Sequence, residues 1–277
     1  MNNNILNEKL IAKLYQAADL YKQNLVNKNI AFIYEDKHTH QLLFIEAQCT
    51  EGNLLHLTGL QYCGTPSRFY EACINRRLSL NDLIVDEKKQ KFITLKLDVL
   101  IGAMSINEIA RSVGDFDFHR EKVTVEKMVG NVSLCVGFSK ISKTGEEMKY
   151  YYPQTLLKDK INYNVKVPNK IIAIMSKPSK QELYDEITYM AKDTTFARLF
   201  DNEEIGEMID YENVHSKNSY CQTKIDDFFA DMEKIAQFNQ ELMLSMKLKD
   251  EMVENTIAEK DETNENNIDY EFEDYDK

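Results

Sequence analysis

The sequence predicts an α+β fold, a small antiparallel sheet flanked by helices, followed by a long C-terminal helix and a disordered acidic tail. Three observations carry this expectation. Short apolar runs of strand length alternate with segments of helical spacing up to about residue 190. Glycine and proline are scarce, nine and four in 277 residues, which argues against the many turns of a β-sandwich or barrel. Beyond residue 196 the composition turns polar and then acidic.

Taken in order, Asn2 to Asn24 places Ile5, Leu10, Ile11, Leu14, Tyr15, Ala18 and Tyr21 on one helical face. Ile30 to Tyr34 reads as a first strand, Asp36 to His40 as a turn, and Leu42 to Ala47 as a second strand. Glu51-Gly52-Asn53 reads as a turn into a further strand, Leu54 to Leu60. On that strand His56 and Thr58 share a face opposite Leu55 and Leu57. Pro66-Ser67 then starts a helix with Ser67 as N-cap, and Thr94 to Ala103 gives another. Residues 128–131, 132–138, 148–152 and 171–175 read as strands, the last apolar on both faces and therefore central. Glu182 to Met190 begins a helix. Ile225 to Met252, with Phe228, Ile235, Phe238, Leu242 and Met246 mostly three or four apart, predicts a long amphipathic helix. The expected units are 1–195 as the α+β domain, 196–224 as a linker, 225–254 as the helix and 255–277 as the tail.

The net charge of −12 is unevenly placed. Asp250 to Lys277 holds twelve acidic residues and two lysines, a net of −10, which leaves −2 on the other 249 residues. A near-neutral body does not repel a phosphate-bearing substrate. The five cysteines are odd in number and form no CxxC pair. Without a signal peptide or a membrane-length apolar run, reduced thiols in a cytoplasm are the expectation. No cofactor is implied, and no grouping of His and Cys has metal-ligand spacing.

Nucleotide-binding loops, zinc-protease motifs and nucleophile elbows are absent from the sequence. What remains are polar residues on strands and strand ends. His56 and Thr58 are followed by Arg68 and Tyr70 on the next helix, by Tyr152 and Thr155 in YYPQTLL, and by Lys177 after the 171–175 strand. Metal-free RNA cleavage needs a base for the 2′-hydroxyl, an acid for the leaving oxygen, and donors for the pentavalent phosphate. Histidine suits the proton steps, Arg and Lys the charge, and Thr or Tyr a phosphate oxygen. Each also has a plain structural use: a core hydrogen bond for His56, an ion pair with Glu71 for Arg68, sheet filling for the tyrosines, and an exposed strand end for Lys177.

The segments LLHLTGL, SRFYEACINRRLSLNDL, YYPQTLL and IMSK before ELYDEITYMAK resemble a phage-associated nuclease family of the Barnase–EndoU–Colicin–RelE-like superfamily, the fourth such phage family, found on mobile elements. The resemblance covers about residues 5 to 195. It implies metal-independent RNA cleavage, with RNA as the substrate and a toxin or phage-defence role. The matching positions are His56 and Thr58, then Phe69 and Tyr70, then Tyr152, Pro153 and Thr155, with Lys177 matched less firmly. Catalysis would rest on His56, Thr58 and Thr155, and substrate binding on Arg68, Tyr70, Tyr152 and Lys177. A second histidine is not evident; His119 stands in GDFDFHREK without a motif. Two other classes stand beside this one. One is a non-catalytic protein of the same fold that binds a protein partner, an antidote or a host protein, through its C-terminal helix and tail. The other is an acidic nucleic-acid mimic that inhibits a host enzyme.

Overall fold

The computed structural model describes residues 6–117, 125–141 and 145–265, with side chains described to residue 247. Two compact units divide the chain, Met1–Ile225 and Asp226–Lys277. The first is built on a barrel. Its strands are β1 (Lys28–Glu35), β2 (Leu42–Cys49), β5 (Ser112–Asp115), β6 (Lys127–Gly130), β7 (Cys135–Ile141), β8 (Glu147–Leu157) and β9 (Asn169–Pro178). They pair in the order β1-β2-β8-β7-β6-β5-β9, and β9 returns to pair with β1, which closes the ring. All of these pairings are antiparallel except β2–β8, which is parallel and rests on one register pair, Ala47 with Tyr151. Strand β10 (Glu186–Met190) extends β9 beside β5, and β3 (Gln61–Tyr62) forms a separate ribbon with β4 (Leu83–Ile84).

The expected small antiparallel sheet flanked by helices is therefore wrong: the architecture is a closed, mixed seven-stranded barrel with a long C-terminal helix. Scarcity of glycine misled because other residues make the turns. Asp36 Oδ1 accepts from the His38 and Thr39 amides, and Asn131 Oδ1 accepts from those of Ser133 and Leu134. Asn27 and His40 take up the positive φ angles, 56° and 58°. Inside the barrel Phe32 of β1 meets Phe138 of β7, ring centroids 6.0 Å apart, and both are buried. Closure gives both edges of β9 a partner, as its two-faced apolar pattern predicts, and Ile171 to Lys177 are all buried.

Two local expectations also change. Leu54 to Leu60 is not a strand but helix α2 (Asn53–Thr58), which ends on Gly59 at φ 72°. Leucine favours helix, and glycine in the left-handed region is a helix C-cap. Glu182 to Met190 is not a helix; Ile187, Thr188 and Tyr189 are β-formers and take the ladder that β9 offers. Helix α1 (Glu8–Asn24) buries Leu10, Leu14, Ala17, Ala18 and Tyr21. Helix α3 (Pro66–Ile74) starts two residues earlier than expected, with Thr65 in place of Ser67 as N-cap and Pro66 at the first position. Helix α4 (Gln90–Ala103) buries Ile93, Leu97 and Leu100, and α5 (Ile106–Ile109) follows. Residues 196–225 add α6 (Phe196–Phe200), α7 (Glu203–Gly206) and the start of α8 (Ser219–Glu265), and bury Phe196, Leu199, Ile205, Cys221 and Ile225 in the first unit. The backbone of residues 255–265, expected as tail, continues α8; the remainder of that tail, like His119, lies outside the described residues. Among the described residues no helix is long and apolar enough to cross a membrane.

Candidate active site

Helix α2 is wedged against β8 and α4, and one of its faces builds the site. Residues 53, 56 and 59 follow one another at helical spacing. Asn53 donates from Nδ2 to the Pro153 carbonyl of β8 at 3.4 Å. At the other end a Cβ on Gly59 would stand 3.1 Å from Cδ of Lys96, so the Lys96 stem crosses the α2 cap. His56, half-buried, follows Asn53 by three residues on α2 and precedes the Gly59 cap by three. Lys96 continues from α4 to donate to Thr155 Oγ1 of β8 at 3.0 Å, and Thr155 is buried. An ammonium and a hydroxyl thus meet beside α2, the helix that carries His56. That set can move a proton and stabilise an oxyanion.

Beside this junction a groove of about 500 Å³ opens at the β2–β8 seam. Its walls include Gln48, Thr50, Asn53, Lys149, Tyr150 and Tyr152. Strands β2 and β8 are joined there at a single register pair, Ala47 with Tyr151. Asn53 is fixed there: its Oδ1 accepts from the amide and the hydroxyl of Thr50, both at 2.8 Å. Tyr152 is fixed by its hydroxyl, which donates to the Ile141 carbonyl at 2.6 Å. The Lys149 ammonium stands 4.9 Å from the Tyr150 ring centre, and a hydrogen bond with Tyr150 holds its pKa above the usual lysine value.

The model of the family described as phage-Barnase-EndoU-ColicinE5/D-RelE like nuclease4 matches residues 13–193. The chain belongs to this nuclease family. The match spans α1 through β10 and contains the α2–α4–β8 junction and the groove. No curated protein and no solved structure matches the chain.

In this member of the family the residues singled out from sequence are only partly brought together. Tyr152 lines the groove, Thr155 meets Lys96, and His56 stands on the same helix as the groove residue Asn53. Thr58 does not share a face with His56, because the segment is helical; it is fully buried, donates to the Leu55 carbonyl at 2.7 Å and accepts from the Leu60 amide at 3.0 Å. Tyr70 is buried edge-on against Tyr21, and burial first, then Glu51 and Asp19, push its phenol up to about 12. Arg68 is exposed on the first turn of α3. Lys177 is buried; its ammonium sits 4.3 Å from the Tyr184 ring centre and donates to the Glu182 carbonyl. It pairs with Asn29, which pairs with Gln48, so Lys177 stands two strands away from the groove wall. Lys96 and Asn53 were not singled out. Lys96 had a legible signal, since it lies three residues after Ile93 and four before Leu100 on the apolar face of α4. Asn53 was hidden by reading Glu51-Gly52-Asn53 as a hairpin turn.

Proposed function

We propose that this member of the nuclease family is an endoribonuclease of toxin or phage-defence type that cleaves RNA by acid–base chemistry without a metal. The observation that carries the reading is the Lys96–Thr155 hydrogen bond beside the His56 stripe of α2, inside the family-matched span. In this reading His56 takes the proton of the 2′-hydroxyl as the oxygen attacks phosphorus. The Lys96 ammonium, aimed by Thr155, binds the phosphoryl oxygens as charge develops. The leaving 5′-oxygen requires a proton, which the ammonium is also able to supply. The roles expected of Arg68, Tyr70 and Lys177 shift to Lys96 and to the aromatic groove. In this reading each proton step is assigned to a side chain.

The test is cleavage of a labelled RNA by the full chain in EDTA, with His56→Ala in parallel. Cutting by the wild type and a drop of at least about a hundredfold in the variant are expected, the usual size of a positioned acid–base contribution. Equal rates in the two would remove His56 from the chemistry. Activity that vanishes in EDTA and returns with one divalent ion would overturn the metal-free route.

A further inference from the structure

We propose that the groove at the β2–β8 seam is a subsite for one unpaired nucleobase of single-stranded RNA, stacked on Tyr150 and read by the side-chain amides of Gln48 and Asn53. The inference rests on the nuclease reading and adds the form of the substrate. Tyr150 and Tyr152, two apart on β8, both line the groove. The Tyr152 ring is held by its bond to Ile141, which sets a rigid aromatic wall before any ligand arrives. Stacking on such walls is how proteins take up single-stranded nucleic acid, since every base has a π face.

The polar groups of the groove are partly committed, and what remains uncommitted matches a base edge. Gln48 spends its Nε2 on Asn29 Oδ1 at 3.1 Å, which turns its Oε1 into the acceptor that faces away from Asn29. Asn53 spends its Oδ1 on Thr50, while one of its two amide protons serves the long contact to Pro153 and the other is left to donate. An acceptor and a donor lining one groove complement the donor–acceptor Watson–Crick edge of an unpaired base. A duplex buries both that edge and the base faces, and so is excluded from this subsite. The Lys149 ammonium at the Tyr150 ring adds attraction for the backbone of the same strand. The site is also correctly placed: Asn53 begins the α2 stripe that leads one turn later to His56, a rise of about 5 Å. A base held by Asn53 therefore brings a neighbouring phosphate toward His56 and Lys96.

The experiment is fluorescence anisotropy of a labelled 2′-O-methyl pentanucleotide, which cannot be cleaved, titrated with the full chain, alone and annealed to its complement. The wild type is expected to bind the single strand more tightly than the duplex. Tyr150→Ala should weaken single-strand binding by between about fivefold and about a hundredfold, the range for loss of one stacked base, and Tyr150→Phe should restore it. Gln48→Leu should weaken binding without the rescue. Circular dichroism checks folding, and Tyr150→Leu, which keeps apolar bulk without a π face, replaces a Tyr150→Ala chain that fails to fold. Wild-type affinity in the Tyr150→Ala or Tyr150→Leu chain, or equal affinity for single strand and duplex, would overturn the subsite. The two readings fail separately. His56-dependent cleavage with unchanged binding by Tyr150→Ala leaves the nuclease and removes the subsite, and Tyr150-dependent binding without any cleavage does the reverse.

Discussion

Replacing Glu186 by Gln should make the stability of the barrel less dependent on acid. Glu186 stands on β10 and ties three elements together. Its Oε2 accepts from the Ser176 hydroxyl of β9 at 2.7 Å and meets Lys28 of β1 at 3.3 Å, while Oε1 meets Lys217 at 2.7 Å. Burial alone would raise the carboxyl pKa. The hydrogen bonds from Lys217 and Ser176 and the charges of Lys28 and Lys217 outweigh it and bring the group from the ordinary 4.5 down to about 2. A carboxylate depressed on folding stabilises the native state above its unfolded pKa, and that stabilisation is lost as pH falls through the folded value. The displacement corresponds to at most about 3 kcal/mol. The Glu186 side chain is 12% exposed but Lys217 is 79% exposed, so solvent screens part of the attraction and about 1–2 kcal/mol is expected. Urea unfolding of wild type and Glu186→Gln across a pH series reads this directly. The variant should be less stable by that amount at pH 7, and the gap should close between about pH 5 and pH 2. A gap that stays constant from pH 7 to pH 3 would refute the charge-based account.

Three further outcomes follow from named contacts. Phe32→Ala removes one ring of the pair that fills the barrel and should cost about 3–5 kcal/mol in a urea melt; a loss under about 1 kcal/mol would contradict a packed interior. Lys96→Met should lower RNA cleavage by about tenfold to a hundredfold, the worth of one charge-assisted hydrogen bond, while an unchanged rate would place Lys96 outside the site. Thr58→Val leaves the buried Leu60 amide without its acceptor and should cost about 1–3 kcal/mol of stability with little change in cleavage per folded molecule; a large catalytic loss would return Thr58 to the chemistry.

Much of the local structure was legible because its patterns have one reading. The helical stripe of α1, the apolar runs of β1 and β2, and the two-faced run of β9 all form as their spacing indicates. Leu54-Leu55-His56-Leu57 was not legible in the same way. So short a run fits a two-residue and a 3.6-residue repeat equally, and the decision lies in Gly59, a helix cap that also looks like a strand exit. Barrel closure was out of reach for a different reason. It depends on β9 returning to β1 and on a single parallel pair between Ala47 and Tyr151, contacts between distant segments that no local pattern encodes. His56, Thr155 and Tyr152 were singled out by residue type and motif, while Lys96, which bonds Thr155, sat unread beside Leu97 on α4.

The central claim is that His56 directs a 2′-hydroxyl onto the adjacent phosphate. It is tested most directly by mass spectrometry of the ends made from a DNA oligonucleotide that carries one ribonucleotide. A single cut on the 3′ side of the ribonucleotide is expected, leaving a 2′,3′-cyclic phosphate and a 5′-hydroxyl, unchanged in EDTA and absent with His56→Ala. Cleavage of the all-DNA control, or product ends that carry a 5′-phosphate, would contradict it.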